Sequence, residues 1–255
     1  MKTLSFAAAL AGLASVAQAA VSGFDISGWQ SSTDFAKAYA AGDRFVYIKA
    51  TEGTTYKSPM FSSQYTGATN AGFIRGAYHF AQPASSSGAA QATYFAANGG
   101  GWSADGITLP GALDMEYNPS GATCYGLSAS AMVNWIEDFV TTYHSKTSRW
   151  PVIYTSTSKT PSFPPPPRSA TRPPRGQTTD SIRTGWWTTC TGNSAQFADR
   201  SPLWVARYAS SVGTLPAGWG FYTIWQFNDA YSQGGDSNTF NGDLSRLKAL
   251  ASNTA

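Results

Sequence analysis

Two carboxylates close the stretch Leu109-Pro110-Gly111-Ala112-Leu113-Asp114-Met115-Glu116-Tyr117. The stretch reads as a buried strand: a short apolar run after a Pro-Gly break, ending in Asp114 and Glu116. Side chains alternate along a strand, so Asp114 and Glu116 point to one side and Met115 to the other. Their Cα atoms then stand about 6.5 Å apart, given a rise of about 3.3 Å per residue. Such a pair repels itself, which pushes one pKa up and leaves the other group ionised. That is the arrangement acid/base chemistry on a glycosidic bond needs. The pattern D-x-E is short, however, and two solvated acids capping a strand end would look the same. The elements that position the pair have to decide.

Those elements alternate. Strands are expected over residues 21–27, 45–50, 73–80, 109–117, 150–155, 202–208 and 221–227, with a short last one at 240–244. Helices are expected over 34–41, 58–71, 85–97 and 128–146. The last of these is the clearest, with Ser128 as cap and Met132, Trp135, Ile136, Phe139 and Val140 on one face. Strand–helix alternation implies parallel pairing and right-handed winding. Eight strands then give an α/β fold, an irregular single-domain β/α (TIM-like) barrel with fewer helices in its second half. Asp25, Glu52, His79, Asp114, Glu116, Tyr154, Gln226 and Asp243 all fall at or near the carboxyl ends of these strands. In a barrel those ends meet on one face, where active sites form.

Composition narrows the chemistry. Residues 1–19 carry one positive charge at Lys2, an apolar run and an Ala-Gln-Ala site, the make-up of a secretory signal peptide. No later apolar stretch is long enough for a bilayer, so the chain is expected to be extracellular, with no membrane partner. The remaining 20–255 suit one domain. Nine Trp and thirteen Tyr offer faces that stack on sugar rings, although aromatics also fill cores. Cys124 and Cys190 are the two cysteines, and in a secreted chain the default is one disulfide. Two histidines, His79 and His144, and no Cys-x-x-Cys or His-x-x-x-His spacing give no sign of a metal site. No other cofactor is expected.

At this point the chain resembles glycoside hydrolase family 25, the secreted barrel-type muramidases. The matching pieces run in order: Gly23-Phe24-Asp25-Ile26-Ser27-Gly28-Trp29-Gln30, Ile48-Lys49-Ala50-Thr51-Glu52-Gly53, Gly76-Ala77-Tyr78-His79-Phe80, Leu113-Asp114-Met115-Glu116, Ile153-Tyr154-Thr155 and Ile224-Trp225-Gln226-Phe227. The resemblance implies hydrolysis, with net retention, of the β-1,4 bond after N-acetylmuramic acid in peptidoglycan, by a monomer. It implies Glu116 as general acid, and Asp114 as its partner, either nucleophile or holder of a substrate acetamido group. It implies Asp25 and Asp243 as further carboxylates of the site, and Tyr78, Tyr154, Trp225 and Gln226 as the lining of the sugar cleft. Plainer roles compete: Asp25 bonding Ser27 or a turn, Tyr78 and Trp225 in the core, His79 as a satisfied structural histidine, Lys49 paired with Glu52. Two other functions also compete. A chitin-type hydrolase would show a longer D-x-x-D-x-D-x-E run, of which only the end is present. A non-catalytic wall-binding barrel would not need the carboxylate set.

One segment departs from the pattern. Residues 159–185 hold seven of the fourteen prolines and five of the seventeen basic residues, and almost no large apolar side chain. Such a composition cannot pack as a helix or strand and is expected to be disordered or polyproline-like. Removing it joins Thr155-Ser156-Thr157-Ser158 to Trp186-Trp187-Thr188-Thr189-Cys190, which resembles the family's continuation, and its codons permit splice signals at both ends. It reads as translated intron sequence or, alternatively, as a natural surface loop, where a long insertion costs little in loop closure. Without it and Lys2 the net charge falls from +3 to −2, so the basic balance does not point to nucleic acid.

Overall fold

The computed structural model describes residues 20–157 and 185–254. The expected signal peptide and residues 158–184 lie outside the described residues. The barrel is built from β1 (Val21–Ile26), β2 (Phe45–Glu52), β4 (Ile74–Phe80), β5 (Ala112–Met115), β6 (Val152–Ser156), β7 (Leu203–Ala206), β8 (Ile224–Asn228) and β9 (Asp236–Phe240), and a two-residue β3 (Tyr56–Lys57) hairpins onto β2. Neighbours pair in that order around the ring, and β1 pairs β2 from Gly23↔Phe45 to Ile26↔Ile48 to close it. Every barrel pairing is parallel except those of β9, which is antiparallel to both β8 and β1.

The expected strand at 240–244 is therefore corrected. Strand β9 ends at Phe240, and Leu244 already belongs to a helix. The register Val21↔Phe240 places the end of β9 beside the start of β1, so the chain after it leaves from the amino-terminal face of the barrel. The start of β9, at Asp236, joins the carboxyl ends of the other strands.

Strand parity divides the core. Inward side chains, among them Phe45, Tyr47, Ile74, Ala112, Val152, Trp204, Ile224 and Phe240, fill the barrel in the manner of layered β/α barrels. Gly76 gives room to one of them: a Cβ there would lie 2.4 Å from the Tyr47 ring. Outward side chains of β1 and β2 pack against α1 (Phe35–Ala41) and α2 (Phe61–Asn70). Those of β4 to β7 pack against α3 (Gly88–Phe95), α4 (Ala129–Thr147) and α5 (Trp186–Thr191). Ser128 caps α4 by accepting from the Ala131 N–H, and Met132, Trp135, Ile136, Phe139, Val140 and Tyr143 are buried along it. Each such large side chain contributes about 1.5–3 kcal/mol when fully buried. The last helix, α6 (Leu244–Ser252), closes the amino-terminal end with Leu247, Leu250 and Ala251.

Cys124 and Cys190 are bonded, with Cα atoms 5.3 Å apart, tying the loop after β5 to α5. Gly185, the last residue of the expected insert, is the N-cap of α5, and a Cβ on it would lie 2.5 Å from the Thr157 Cα. The chain on the two sides of residues 158–184 thus meets in space.

Candidate active site

Parity and strand direction bring one layer of polar side chains to the carboxyl-end face. Asp25, Lys49, Tyr78, Asp114, Tyr154, Gln226 and Asp236 line an open cleft of about 740 Å³, with Glu116 just beyond the end of β5. Trp204 and Tyr208 complete its floor, and Glu52 and Asp229 stand at its sides.

Gln226 organises the floor. Its Oε1 accepts from the hydroxyls of Tyr154 and Tyr208, each at 2.9 Å. Its Nε2 donates to Asp25 Oδ1 at 2.9 Å and to Asp236 Oδ2 at 3.2 Å. All four hydrogen-bonding positions of the amide are used, which fixes its orientation. Asn238 Nδ2 donates to the same Asp25 Oδ1 at 2.7 Å, and Trp204 Nε1 holds the Asn238 carbonyl at 2.8 Å. Asp25 and Asp236 face each other directly across the β1–β9 ladder. Gly235, with φ of 88°, takes a left-handed turn that brings β9 in, and a Cβ there would lie 2.1 Å from the Asp25 carbonyl oxygen.

This crowding of acids in a buried layer raises their pKa values. Burial pushes Asp25 up to about 7 against the pull of its two amide donors, with Glu116 adding to the rise. Burial, then Asp25, Asp229 and Glu116, push Asp236 up to about 8. Burial and Glu116 hold Asp114 well above the usual carboxylate range, while Lys49 works the other way. Asp114 shares a hydrogen bond with Glu116, and its Oδ1 is buried with no partner among the described residues. Of the two acids, Asp114 is the more buried, and burial together with Glu116 favours its protonated form.

Asp25, Asp114, Glu116, Tyr78, Tyr154 and Gln226 come together here as the sequence suggests, and two other residues do not. Asp243 sits at the opposite end of the barrel, where its Oδ1 accepts from the Arg246 N–H at 2.9 Å as the N-cap of α6. Asp236, seven residues earlier, lines the cleft instead. Trp225 points out of the barrel, its Nε1 donating to the Arg207 carbonyl at 2.9 Å, and Trp204 is the inward indole on the cleft floor. Trp225 and Gln226 are consecutive on one strand, so only one of them can face inward. Asp236, Asn238, Trp204 and Tyr208 escaped the sequence reading. The inward set Asp236, Asn238, Phe240 is a period-2 signal that an apolar-run search passes over.

Two plainer readings hold. His79 is fully buried on the outer side, accepting at Nδ1 from Thr51 (2.8 Å) and donating from Nε2 to Gln91 Oε1 (2.9 Å), and burial lowers its pKa to about 4. Lys49 pairs with Glu52 at 2.6 Å. Asp25 does not bond Ser27; its partners are Gln226 and Asn238. Among the described residues, no group of three or more His, Cys, Asp and Glu side chains is placed to hold a metal ion.

A β/α barrel with paired carboxylates in an open cleft is an arrangement that glycoside hydrolases use. Residues 24–162 match the sequence model of glycosyl hydrolases family 25. The chain is similar to an N,O-diacetylmuramidase from Chalaropsis, 52% identical over 235 residues that span 91% of this chain and 99% of that protein. It is also similar to two solved structures. A muramidase from Acremonium alcalophilum is 72% identical, with a TM-score of 0.80 over 91% of this chain and 99% of the other. A family GH25 lysozyme from Aspergillus fumigatus is 52% identical, with a TM-score of 0.80 over 92% of this chain and 100% of the other. The chain belongs to glycosyl hydrolases family 25 and is a glycoside hydrolase.

Proposed function

We propose that the chain is a secreted lysozyme that hydrolyses the β-1,4 bond between N-acetylmuramic acid and N-acetylglucosamine in peptidoglycan, with net retention. The observation that carries this reading is the hydrogen-bonded Asp114–Glu116 pair, open to a cleft of about 740 Å³. The names of the relatives supply the substrate, and that of the Chalaropsis protein extends it to walls with O-acetylated muramic acid.

When substrate enters, the proton held by Asp114 passes to Glu116, which delivers it to the glycosidic oxygen as the C1–O bond breaks. Asp114 is left ionised. Its burial and its resting proton suit it less to direct attack than to accepting, at the partnerless Oδ1, the acetamido N–H of the muramyl residue. The acetamido oxygen then bonds C1 from the opposite face. A water, losing its proton to Glu116, opens that ring, returns the acetamide and restores the starting configuration. Asp25 and Asp236, raised to about 7 and about 8, crowd the site without adding two more full charges at neutral pH.

Product analysis on purified peptidoglycan tests this. New reducing ends on muramic acid support it. Release of chito-oligosaccharides would favour the chitin-type alternative, and binding to walls without cleavage would favour a non-catalytic barrel.

The same proposal leaves residues 159–185 out of the working enzyme. The match to the family model stops at residue 162, and the chain meets itself across the gap at Thr157 and Gly185. A messenger that encodes the segment would refute its intron origin, and a deletion variant that fails to fold would show that it is structural.

A further inference from the structure

The cleft has an aromatic margin that the bond-breaking chemistry does not use. Trp29 is 83% exposed, the most exposed large hydrophobic side chain among the described residues. It sits in the loop that leaves β1, and it lines the same cleft as Asp114 and Glu116. The loop is held at both flanks. Gln64, a buried amide on α2, donates from Nε2 to the carbonyls of Ser27 and Gln30, each at 2.9 Å. Gln30 Oε1 accepts from the Ser27 N–H at 2.9 Å, and Ser27 Oγ accepts from the Trp29 N–H at 3.3 Å. Gly28 lies against Tyr56: a Cβ there would stand 3.3 Å from the tyrosine hydroxyl. Tyr56 also lines the cleft, is 41% exposed, and has the Lys49 ammonium 5.5 Å from its ring centroid. Two exposed aromatic side chains thus line the cleft, and the backbone that carries Trp29 is held by hydrogen bonds.

A preordered aromatic face loses little freedom when it binds, and the large apolar area of an indole is available to whatever covers it. The apolar C–H face of a pyranose ring fits that surface, and its hydroxyls remain free for water and for Gln30. We propose that Trp29, with Tyr56 beside the adjoining Gly28, is a sugar-stacking subsite at the margin of the cleft. It would take a ring of the glycan strand beyond the two joined by the scissile bond, and so favour long strands over short fragments. This rests on the reading of the cleft as a site for wall glycan.

The experiment uses soluble fragments of two, three and four N-acetylglucosaminyl-N-acetylmuramyl repeats. Trp29→Ala should lower kcat/KM by about tenfold on the longest fragment, with a loss that shrinks as fragments shorten, and Trp29→Phe should recover most of it. An equal loss at every length, or none, overturns the subsite. A second arm measures binding in the Glu116→Gln background. There the four-repeat fragment should shield Trp29 from iodide quenching, seen as the difference from the same protein carrying Trp29→Phe. Binding without shielding overturns the subsite alone, whereas no binding of any fragment overturns the glycan reading beneath it.

Discussion

The two halves of the barrel are built differently. From β1 to β6, the strands are backed by α1 to α5, so most of their residues are buried on both faces and read as apolar runs. From β7 to β9 no helix intervenes. Strand β8 shows Trp225 and Phe227 on its outer side, and β9 turns back as a polar hairpin strand, Asp236-Ser237-Asn238-Thr239-Phe240. Asp114, on β5, and Glu116, just past its end, to which we assign the bond-breaking step, stand in the regular half, where helices pack on the outer face. The acids with the mixed environment, Asp25 and Asp236, face each other at the seam where β9 meets β1. On the proposed reading the contrast separates two tasks: the regular half positions a proton donor, and the seam with the irregular half tunes the charge around it.

Substitution in each half tests that division. Glu116→Gln keeps the shape and removes the transferable proton, and it should lower kcat by at least about three orders of magnitude with substrate affinity nearly intact. Turnover within about tenfold of the parent would show that the regular half does not hold the acid.

Asp236→Asn addresses the seam. Loss of the Asp25-facing carboxylate should lower kcat by about tenfold to a hundredfold, through misplacement and altered charge and not through loss of the acid itself. The same variant has a pH signature. Asp25 and Asp236 are raised in the fold to about 7 and about 8, from an ordinary 3.8. A raised acid binds its proton more tightly folded than unfolded. Its contribution to stability is therefore fully present below about pH 4 and lost as pH rises through 7 and 8. Asparagine cannot ionise, so the variant should melt above the parent at pH 8.5, by about 2–4 °C for each kcal/mol relieved, and level with it at pH 4. A gain that is the same at both pH values would show that the seam carries no such coupled acids.

The difference between the halves also explains what could be read from the sequence. Asp114 and Glu116 were legible because an apolar strand with a clear end delivers them. Gln226 was legible for the same reason, and Trp225 was misplaced only because strand parity was not applied to the two together. Asp236 was not legible. Its strand has no apolar run, and its direction is reversed, so the carboxylate that joins the carboxyl-end face comes at the start of the strand. Asp243, past the far end, took its place in the reading. Short α5 and the capping helix α6 were likewise hidden, the first behind the foreign composition of residues 159–185 and the second behind the expected strand at 240–244.

The disulfide ties the loop after β5 to α5, within the helix-backed half. Replacing Cys124 and Cys190 together by Ser should cost roughly 3–5 kcal/mol in the chain-entropy picture, measured by denaturant unfolding. The cleft residues keep their own strands, so activity at low temperature should persist. A loss of activity equal to the loss of stability would mean that the bridge shapes the cleft directly.

The smallest effect belongs to the residue the sequence put in the wrong place. Asp243 accepts from the Arg246 N–H and from Ser245 Oγ at 2.7 Å, at the amino-terminal end of the barrel. Its carboxylate there satisfies one of the open N–H groups of α6 and sits at the positive end of that helix. Helix α6 closes the barrel floor with Leu247 and Leu250, so the cap matters to stability. Asp243→Ala should lower stability by about 0.5–2 kcal/mol. Because the barrel's packed interior separates it from the cleft, kcat/KM should stay within about twofold of the parent, while Asp236→Asn loses at least about tenfold. Assaying the two variants side by side reads the direction of β9 in function: if Asp243 is the one that abolishes turnover, the antiparallel closure of the barrel and the seam of acids built on it are both wrong.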